Sequence, residues 1–303
     1  MKDGIARSGA EPSPIATSGR PAASPIARWL PSPFLRLSAG LHVGALAAVA
    51  AVPRWWPGAV ALLAADHLVA TAAGLTPRSS LLGPNLRRLP AARAACGEVG
   101  LTFDDGPDPE ITPGVLDALA GRGARASFFA VGERAAAHPE LAAEIVRRGH
   151  RLETHTWSHP NRFALLGPRA ALTEIDRAQA ALAGIAGSPP LYVRAPAGFR
   201  APWLAPPLAR RGLILASWTR RGYDTVTADP ARVSARLTRG LAAGDVLLLH
   251  DGGSARGAAG RPVVLDALER VLDAIEAAGL TAVPLPGPVA EAPVRAERAA
   301  AAS

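Results

Sequence analysis

Two adjacent carboxylates and two imidazoles follow strand-like runs of the sequence, and both residue types can bind a metal ion. Asp104 and Asp105 follow a short apolar run that is typical of a strand. Side chains of a strand alternate in direction, so one carboxylate can bind a cation while its neighbour faces a metal-bound water. His155 and His159 follow another such run, and two imidazoles four residues apart can chelate one ion from a single loop. The structural alternatives are an ordinary Asp-Asp-Gly-Pro turn and hydrogen-bonded histidines.

An arginine and a third histidine, each at the end of a strand-like run, could complete a hydrolytic site. Arg194 could pair with a buried carboxylate and keep it ionised, or it could be a surface residue before the Pro/Gly turn that follows. His250 could protonate a leaving amine near neutral pH. Asp224 could raise the pKa of His250 by pairing with it.

The elements that must position these residues begin at residue 98, where short apolar runs alternate with helical segments. A strand–helix alternation repeated about seven times predicts a parallel sheet, open or closed into a barrel. Parallel α/β folds place their sites just after the strands, where all four polar clusters fall. The predicted strands are 99–103, 126–131, 150–154, 191–194, 213–218, 246–249 and 281–284. One predicted helix begins at Thr112 as N-cap, and the others are 138–148, 168–183, 229–240 and 262–278, with Gly240 and Gly279 as C-terminal caps of the last two.

The motifs together resemble the polysaccharide deacetylase family, which is also called carbohydrate esterase family 4 or the NodB homology domain. The resemblance covers about residues 98–285. It rests on Thr-Phe-Asp-Asp-Gly-Pro at 102–107, His-Thr-x-x-His at 155–159, Arg-x-Pro-x-Gly at 194–198 and Leu-x-His at 248–250. It implies an α/β fold, a distorted (β/α)7 barrel.

The resemblance also implies a divalent metal ion as the cofactor. Its ligands would be Asp105, His155 and His159. Two imidazoles and a carboxylate suit zinc, and cobalt, nickel or manganese are the alternatives.

Catalytic roles implied by the resemblance fall on five further residues. Asp104 would be the general base, and Arg194 would orient it and stabilise its charge. His250 would be the general acid. The backbone N–H of Ala197 would help to bind the oxyanion, and Leu248 would line the pocket for the acyl methyl group.

The sequence departs from the family pattern in two places. The family usually has an aromatic residue where Ala197 stands, so a side-chain contact to the sugar is lost. It usually has Asp-x-x-Asp-Trp where Arg-Arg-Gly-Tyr-Asp-Thr stands at 220–225. The second departure leaves the catalytic role of Asp224 open. It also allows a substrate preference that differs from that of chitin or peptidoglycan enzymes.

The implied activity is hydrolysis of an N-acyl group, in the first instance N-acetyl, on an amino sugar. The sugar would belong to a glycan or would be linked to a polyprenyl carrier. The alternative function is that of a non-catalytic, membrane-tethered glycan-binding module on the same scaffold. Inactive relatives typically lose the base or a ligand, whereas this sequence keeps the complete set.

Two apolar stretches at 37–52 and 55–75 predict a transmembrane helical hairpin. The alternative is a soluble helical pair that packs on the catalytic domain. Arginines flank the pair on both sides and only Arg54 lies between, so both flanks are expected on the cytoplasmic side of the inner membrane if both segments span. If one segment spans, the catalytic domain lies on the other side. The predicted divisions are a disordered basic arm at 1–33, the hairpin at 34–76, a linker at 77–97, the catalytic domain at 98–285 and a disordered tail at 286–303.

The charge balance argues against a nucleic-acid partner. The formal net charge is +8, but the arginines are scattered and no stacking aromatics lie among them. Attraction to anionic lipid headgroups fits this charge better, given the apolar hairpin. The single cysteine, Cys96, allows no disulfide within the chain.

Overall fold

Eight short strands form one parallel sheet in the part of the chain that the structure describes. This computed structural model describes residues 30–287, so nearly all of the predicted arm and tail lies outside the described residues. The strands are β1 Glu98–Asp104, β2 Ser127–Ala130, β3 Arg151–Thr154, β4 Tyr192–Val193, β5 Ile214–Leu215, β6 Arg220–Arg221, β7 Val246–His250 and β8 Thr281–Val283. Their order across the sheet is β5-β4-β3-β2-β1-β7-β6, and β8 pairs with β1.

The sheet is an incomplete barrel, because its two outer strands, β5 and β6, do not pair with each other. The predicted distorted barrel is confirmed, with one strand more than the seven expected. The additional strand is β6, whose two arginines carry no apolar signal. β8 lies beside the first half of β1, with Gly100 opposite Val283, and β2 lies beside the second half, with Thr102 opposite Ser127.

The helices of residues 30–287 are α1 Pro33–Ala51, α2 Trp56–Gly74, α3 Ala91–Ala95, α4 Thr112–Gly121, α5 Gly132–Ala137, α6 Pro139–Arg147, α7 Pro168–Ala186, α8 Ala205–Arg210, α9 Pro230–Thr238 and α10 Val263–Ala277. The first three precede β1, and α4 to α10 lie in the long connections that parallel strands require. The predicted ends at Gly240 and Gly279 are confirmed, because both residues are left-handed, with φ of 65° and 67°. The N-cap prediction for Thr112 is wrong. The cap is Ile111, and the Thr112 hydroxyl donates to the buried carboxylate of Asp251.

The core lies between the central strand and the helices packed on it. All seven residues of β1 are buried, as expected for a parallel strand covered on both faces. Phe103 of β1 and Phe128 of β2 stack with ring centroids 5.0 Å apart. From α10, Leu268 and Val271 are fully buried in the same cluster. Burial of each large apolar side chain contributes about 1.5–3 kcal/mol.

Four strands end at the same edge of the sheet and carry the residues singled out above. Asp104 at the end of β1 lies opposite His250 at the end of β7. β3 and β4 end on paired residues, directly before His155 and Arg194. The register of a parallel sheet therefore brings together side chains that are up to about 150 positions apart in the sequence.

The N-terminal hairpin stands largely clear of the sheet. α1 and α2 are joined by the short turn Pro53–Trp55, and each is long and apolar enough to cross a membrane. Leu37, Leu46 and Leu68 are 73%, 72% and 70% exposed. This exposure argues against a soluble pair packed on the catalytic domain, because such a pair would bury these side chains.

Polar residues of the hairpin face each other across the two helices. Ser38 donates to the Asp66 carboxylate at 2.6 Å. The Nε2 atoms of His42 and His67 lie 3.3 Å apart. A carboxylate is costly in apolar surroundings, and the carboxylate of Asp66 thus has a hydrogen-bond donor on the other helix of the hairpin.

The base of the hairpin is joined to the loop that follows β4. The backbone N–H of Arg200 donates to the carbonyl of Gly74, the last residue of α2, at 3.0 Å. The buried guanidinium of Arg200 also donates to the carbonyl of Ser79, and burial lowers its pKa to about 10. The segment predicted as a linker therefore packs on the domain. Two of its amides pair with the sheet region, Leu86 with Leu215 and Leu89 with Gly244.

We expect Gly74→Ala to loosen the hairpin from the catalytic domain. A Cβ at this position would lie 2.4 Å from the carbonyl oxygen of Arg200, a backbone atom that cannot move aside cheaply. The free energy of unfolding should fall by about 1–3 kcal/mol, read from thermal or urea unfolding of the full chain in detergent. Gly58→Ala in the same helix is the control, because a Cβ there meets nothing within 4 Å. Equal stability of the two variants would contradict this account of the joint.

Candidate metal centre and acid–base residues

Three predicted metal ligands converge in the structure. Oδ1 of Asp105 lies 3.3 Å from Nε2 of His155 and 3.3 Å from Nε2 of His159. The three candidate ligand atoms all lie within 4.8 Å of one another. Asp105 leaves β1, whereas both histidines lie in the loop after β3, so the sheet brings them together.

The hydrogen bonding of His155 shows which ring nitrogen faces the centre as a lone pair. Its Nδ1 lies 2.8 Å from the carbonyl oxygen of Arg194. A carbonyl only accepts, so Nδ1 carries the proton and Nε2 of the neutral ring presents a lone pair. That lone pair faces Oδ1 of Asp105, which is also an acceptor. A cation between them would satisfy both atoms.

The Asp105 carboxylate is suited to bind such a cation. Its Oδ1 is buried and has no hydrogen-bond partner. Burial raises the pKa of Asp105, but the surrounding imidazoles of His155, His250 and His159 outweigh this effect and hold the pKa well below its usual range. An ionised oxygen without a donor is what a metal ligand requires. The residues present therefore fit a divalent cation.

Strained backbone accompanies the cluster. Asp105, His159 and Ala197 have φ of 74°, 51° and 54°, in the left-handed region that glycine normally occupies. Each such residue costs about 1–3 kcal/mol, and strain of this kind concentrates at functional sites.

Asp104 sits beside the cluster and is held by a fully buried arginine. Nη1 of Arg194 donates to Oδ1 of Asp104 and, at 3.0 Å, to the hydroxyl of Thr102. The other oxygen of Asp104, Oδ2, lies 3.8 Å from Nε2 of His155. Asp104 thus has one oxygen held by Arg194 and the other turned toward the three candidate ligands, Asp105, His155 and His159, which we call the metal cluster.

Arg194 is fixed by contacts on every side. Nη2 donates to the carbonyl of Ser217 at 3.0 Å, and the guanidinium carbon lies 3.9 Å from the ring centroid of Phe129. Burial lowers the pKa of Arg194, against the opposing effect of Asp104. Burial also makes the Asp104 pair costly to break, because neither ion can return to water.

His250 is held by Asp224 through two hydrogen bonds. Asp224 Oδ1 lies 2.9 Å from Nδ1 of the ring, and Oδ2 accepts from the His250 backbone N–H at 2.8 Å. A carboxylate only accepts, so Nδ1 is the donor and Nε2 is left to exchange protons. Burial lowers the pKa of His250, but its pairing with Asp224 outweighs this and the net pKa lies above the usual value.

Comparisons with known proteins find relatives of this chain. A family model described as polysaccharide deacetylase matches residues 91–205. A peptidoglycan-N-acetylglucosamine deacetylase of Bacillus cereus is 30% identical over 191 residues, which cover 62% of this chain and 67% of that relative. A chitooligosaccharide deacetylase of Bradyrhizobium is 31% identical over 195 residues, which cover 62% of this chain and 89% of that relative. This chain belongs to the polysaccharide deacetylase family.

Solved structures of family members superpose on this deacetylase domain. A family 4 carbohydrate esterase from Streptomyces lividans, in complex with acetate, has a TM-score of 0.57 and 33% identity. The match covers 65% of this chain and 98% of that one. A crystal structure of a peptidoglycan N-acetylglucosamine deacetylase, in complex with an N-oxidanyl-benzamide, has a TM-score of 0.59 and 28% identity, and covers 67% and 91% of the two chains.

A cavity of about 250 Å³ opens onto the metal cluster of this deacetylase. Ala197 and Leu248, both singled out from the sequence, lie in its wall with His250. Trp218 and Arg221 also line the cavity, and sequence analysis did not assign them to the site. Arg221 lies in the stretch 220–225 that departs from the family pattern, and Trp218 lies two residues before that stretch, so the departure was the available sequence signal.

Asp251 positions the loop that carries Asp105, the candidate metal ligand, and this role was not predicted from the sequence. Its Oδ1 accepts from the N–H of Gly106, and its own N–H donates to the carbonyl of Asp104. Oδ2 accepts from the hydroxyl of Thr112 at 2.7 Å. Burial raises the pKa of Asp251 to about 7. The only sequence signal for it is its place directly after the predicted acid.

We expect Arg194→Gln to destabilise the domain strongly. The substitution leaves Asp104 as a buried carboxylate without its partner, which costs about 3–5 kcal/mol. Arg211→Gln is the matched control, because the pair of Arg211 with Asp176 is 31% and 49% exposed and contributes about 0–1 kcal/mol. Urea unfolding of both variants measures the difference. A loss at Arg194 as small as at Arg211 would contradict the buried pair.

We expect Asp224→Asn to move the alkaline limb of the pH–rate profile to lower pH. A general acid must be protonated, so activity falls as pH rises through its pKa. Asp224 holds the pKa of His250 above its usual value, and without that charge the lowering effect of burial remains. The test is kcat/KM for deacetylation against pH, with Asp176→Asn as the surface control. An unmoved limb would remove Asp224 from this role.

Proposed function

We propose that this protein is a metal-dependent hydrolase that removes the N-acetyl group from an amino sugar. The observation that carries the proposal is the convergence of Asp105 Oδ1 with both imidazoles at 3.3 Å, beside a second carboxylate. Across this centre stands His250, the candidate acid, in the wall of the same cavity.

Asp105, His155 and His159 would hold the metal. Zinc suits two imidazoles and a carboxylate, and cobalt, nickel or manganese are alternatives. Such an ion, when bound, lowers the pKa of a bound water and polarises an amide carbonyl.

Asp104 would take the proton from the attacking water. Arg194 holds one of its oxygens and keeps the carboxylate in place, while Oδ2 is turned toward the cluster. Because the carboxylate is already oriented, its reorientation adds no entropic cost when the water is deprotonated. Asp104 and Asp105, although adjacent, would therefore have separate roles.

His250 would give a proton to the nitrogen of the sugar as the carbon–nitrogen bond breaks. The bonds from Asp224 leave Nε2 as the nitrogen that exchanges this proton. The N–H of Ala197 would donate to the oxyanion, and Leu248 would contact the acyl methyl group, since both line the cavity. Water and amide are thereby converted to a free amine and acetate.

The substrate is an amino sugar in a glycan or on a lipid carrier. The two relatives compared above act, by name, on peptidoglycan and on chitooligosaccharides. We place the protein in the inner membrane, with α1 and α2 as spans and residues 98–285 as the catalytic domain. Arginines on both flanks of the hairpin favour the cytoplasmic side for that domain, where polyprenyl-linked sugars become available substrates.

A non-catalytic glycan-binding module is the second candidate. It requires the same cavity but no pairing of His250 with Asp224 and no carboxylate beside the metal ligands. The presence of both arrangements favours the enzyme.

We expect Asp105→Ala and Asp104→Asn to fail in different ways. Asp105→Ala removes a ligand, so both bound metal and turnover should be lost. Asp104→Asn keeps the ligands, so metal should be retained while kcat falls by about a hundredfold or more. Metal analysis of purified protein, paired with acetate release from N-acetylated chitooligosaccharides, checks both. Asp273→Asn, an exposed residue of α10, is the control.

Full acetate release after exhaustive removal of metal by a chelator would contradict the metal-dependent mechanism. Equal activity of Asp104→Asn and the unaltered protein would remove Asp104 as the base. Tight glycan binding by a metal-loaded protein that never releases acetate would instead support the binding module.

A further inference from the structure

A second cavity, of about 730 Å³, lies beside the catalytic one and is lined by arginines. Six of its lining residues are arginine and none is acidic. These arginines are Arg78, Arg220, Arg221, Arg232, Arg236 and Arg239. We call this cavity the arginine cleft. A surface with so many like charges is expected to attract an anion.

Five of the six charges are not neutralised by the protein. Arg220 pairs with Asp245 at 2.6 Å. Within residues 30–287, none of the other five makes a salt bridge with a carboxylate. Nε of Arg221 is buried and has no hydrogen-bond partner. A buried donor without a partner is costly and is satisfied by a ligand that accepts hydrogen bonds.

Aromatic rings hold part of the cleft in a fixed arrangement. The guanidinium of Arg221 lies 5.5 Å from the ring of Trp218 and 5.0 Å from that of Tyr223. Arg236 lies 5.3 Å from Tyr223 and donates to the hydroxyl of Thr227 at 2.8 Å. Guanidinium groups held in this way present their planar donor edges to a ligand with less loss of side-chain entropy.

The arginine cleft connects the catalytic cavity with the hairpin. Trp218 and Arg221 line both cavities. The cleft is also lined by Thr76, Pro77 and Arg78, which follow the C-cap residue of α2. A ligand in the cleft would therefore contact residues next to the apolar hairpin as well as residues of the catalytic cavity.

We propose that the arginine cleft binds a phosphate ester that belongs to the substrate, an amino sugar carried on a lipid through phosphate or diphosphate. This rests on the proposed deacetylase function. Arginine matches the oxygens of phosphate with pairs of parallel hydrogen bonds, whereas a neutral glycan chain has no group that needs five uncompensated cations. The lipid part would lie along the hairpin, whose large apolar side chains are exposed.

The test compares two substrates and two kinds of variant in the full-length, metal-loaded protein in detergent. One substrate is N-acetylglucosamine joined through diphosphate to a polyprenol, and the other is a neutral N-acetylated chitooligosaccharide. Arg232→Gln combined with Arg239→Gln removes two cleft charges whose side chains make no salt bridge within the described chain. Arg270→Gln, on the exposed side of α10, is the control.

The expected result is a change in the ratio of kcat/KM for the lipid-linked over the neutral substrate. This ratio should fall by about tenfold or more in the double variant, since each hydrogen bond to a charged group contributes strongly to binding. It should be unchanged in Arg270→Gln. An unchanged ratio in the double variant would overturn the proposal.

Binding measurements separate this proposal from the proposed function and from other sources of phosphate. Titration with the polyprenyl diphosphate alone should show binding that the double variant weakens, even if no substrate is deacetylated. Failure of deacetylation with intact binding would therefore count against the enzyme activity and not against the cleft. If inorganic pyrophosphate binds as tightly as the polyprenyl diphosphate, the assignment to a lipid-linked substrate is overturned. The assignment is also overturned if the double variant loses binding only to vesicles of anionic phospholipid.

Discussion

One electrostatic constraint governs the site: the oxygens of two carboxylates and the Nε2 atoms of two imidazoles face one another in a largely buried space. Oδ1 of Asp105 lies 3.3 Å from each imidazole, and Oδ2 of Asp104 lies 3.8 Å from one of them. In surroundings of low dielectric constant these electron-rich atoms repel one another, so their arrangement is stable only if a positive charge lies between them. The surrounding pairs, Arg194 with Asp104 and Asp224 with His250, hold the remaining groups in defined charge states around that position.

Two neighbouring aspartates acquire different chemistry because the backbone changes direction between them. Asp104 is the last residue of β1 and takes its partner, Arg194, from inside the barrel. Asp105 lies past the strand in a left-handed conformation, and its oxygen meets two imidazoles instead of a cationic side chain. The buried carboxylate of Asp251 fixes the turn that follows. The cost of the strained backbone is thus met by contacts with the neighbouring strand end.

The parts of the fold that carry a local signal can be predicted from the sequence, whereas those that depend on distant contacts cannot. Apolar runs revealed seven strands, but β6 consists of two arginines and exists because it pairs with β7. Thr112 resembles an N-cap, yet its hydroxyl is taken by Asp251, which lies 139 positions away. The metal ligands were found because motif and spacing are local to two loops. The arginine cleft was not, because its arginines come from three separate segments, none of which has a charge run.

The hairpin and the catalytic loop are joined closely enough to share one orientation. Arg200 bonds the end of α2, and a Cβ on Gly198 would lie 2.6 Å from Pro77 and 2.7 Å from Trp218, so these groups are packed without a gap. If α1 and α2 lie in a bilayer, the arginine cleft has residues 76–78 next to the end of α2, and it shares Trp218 and Arg221 with the catalytic cavity. This arrangement suits a ligand that has apolar, anionic and sugar parts. The hydrogen bond from Arg200 to the end of α2 would then hold the catalytic residues at a fixed distance from the lipid part of such a ligand.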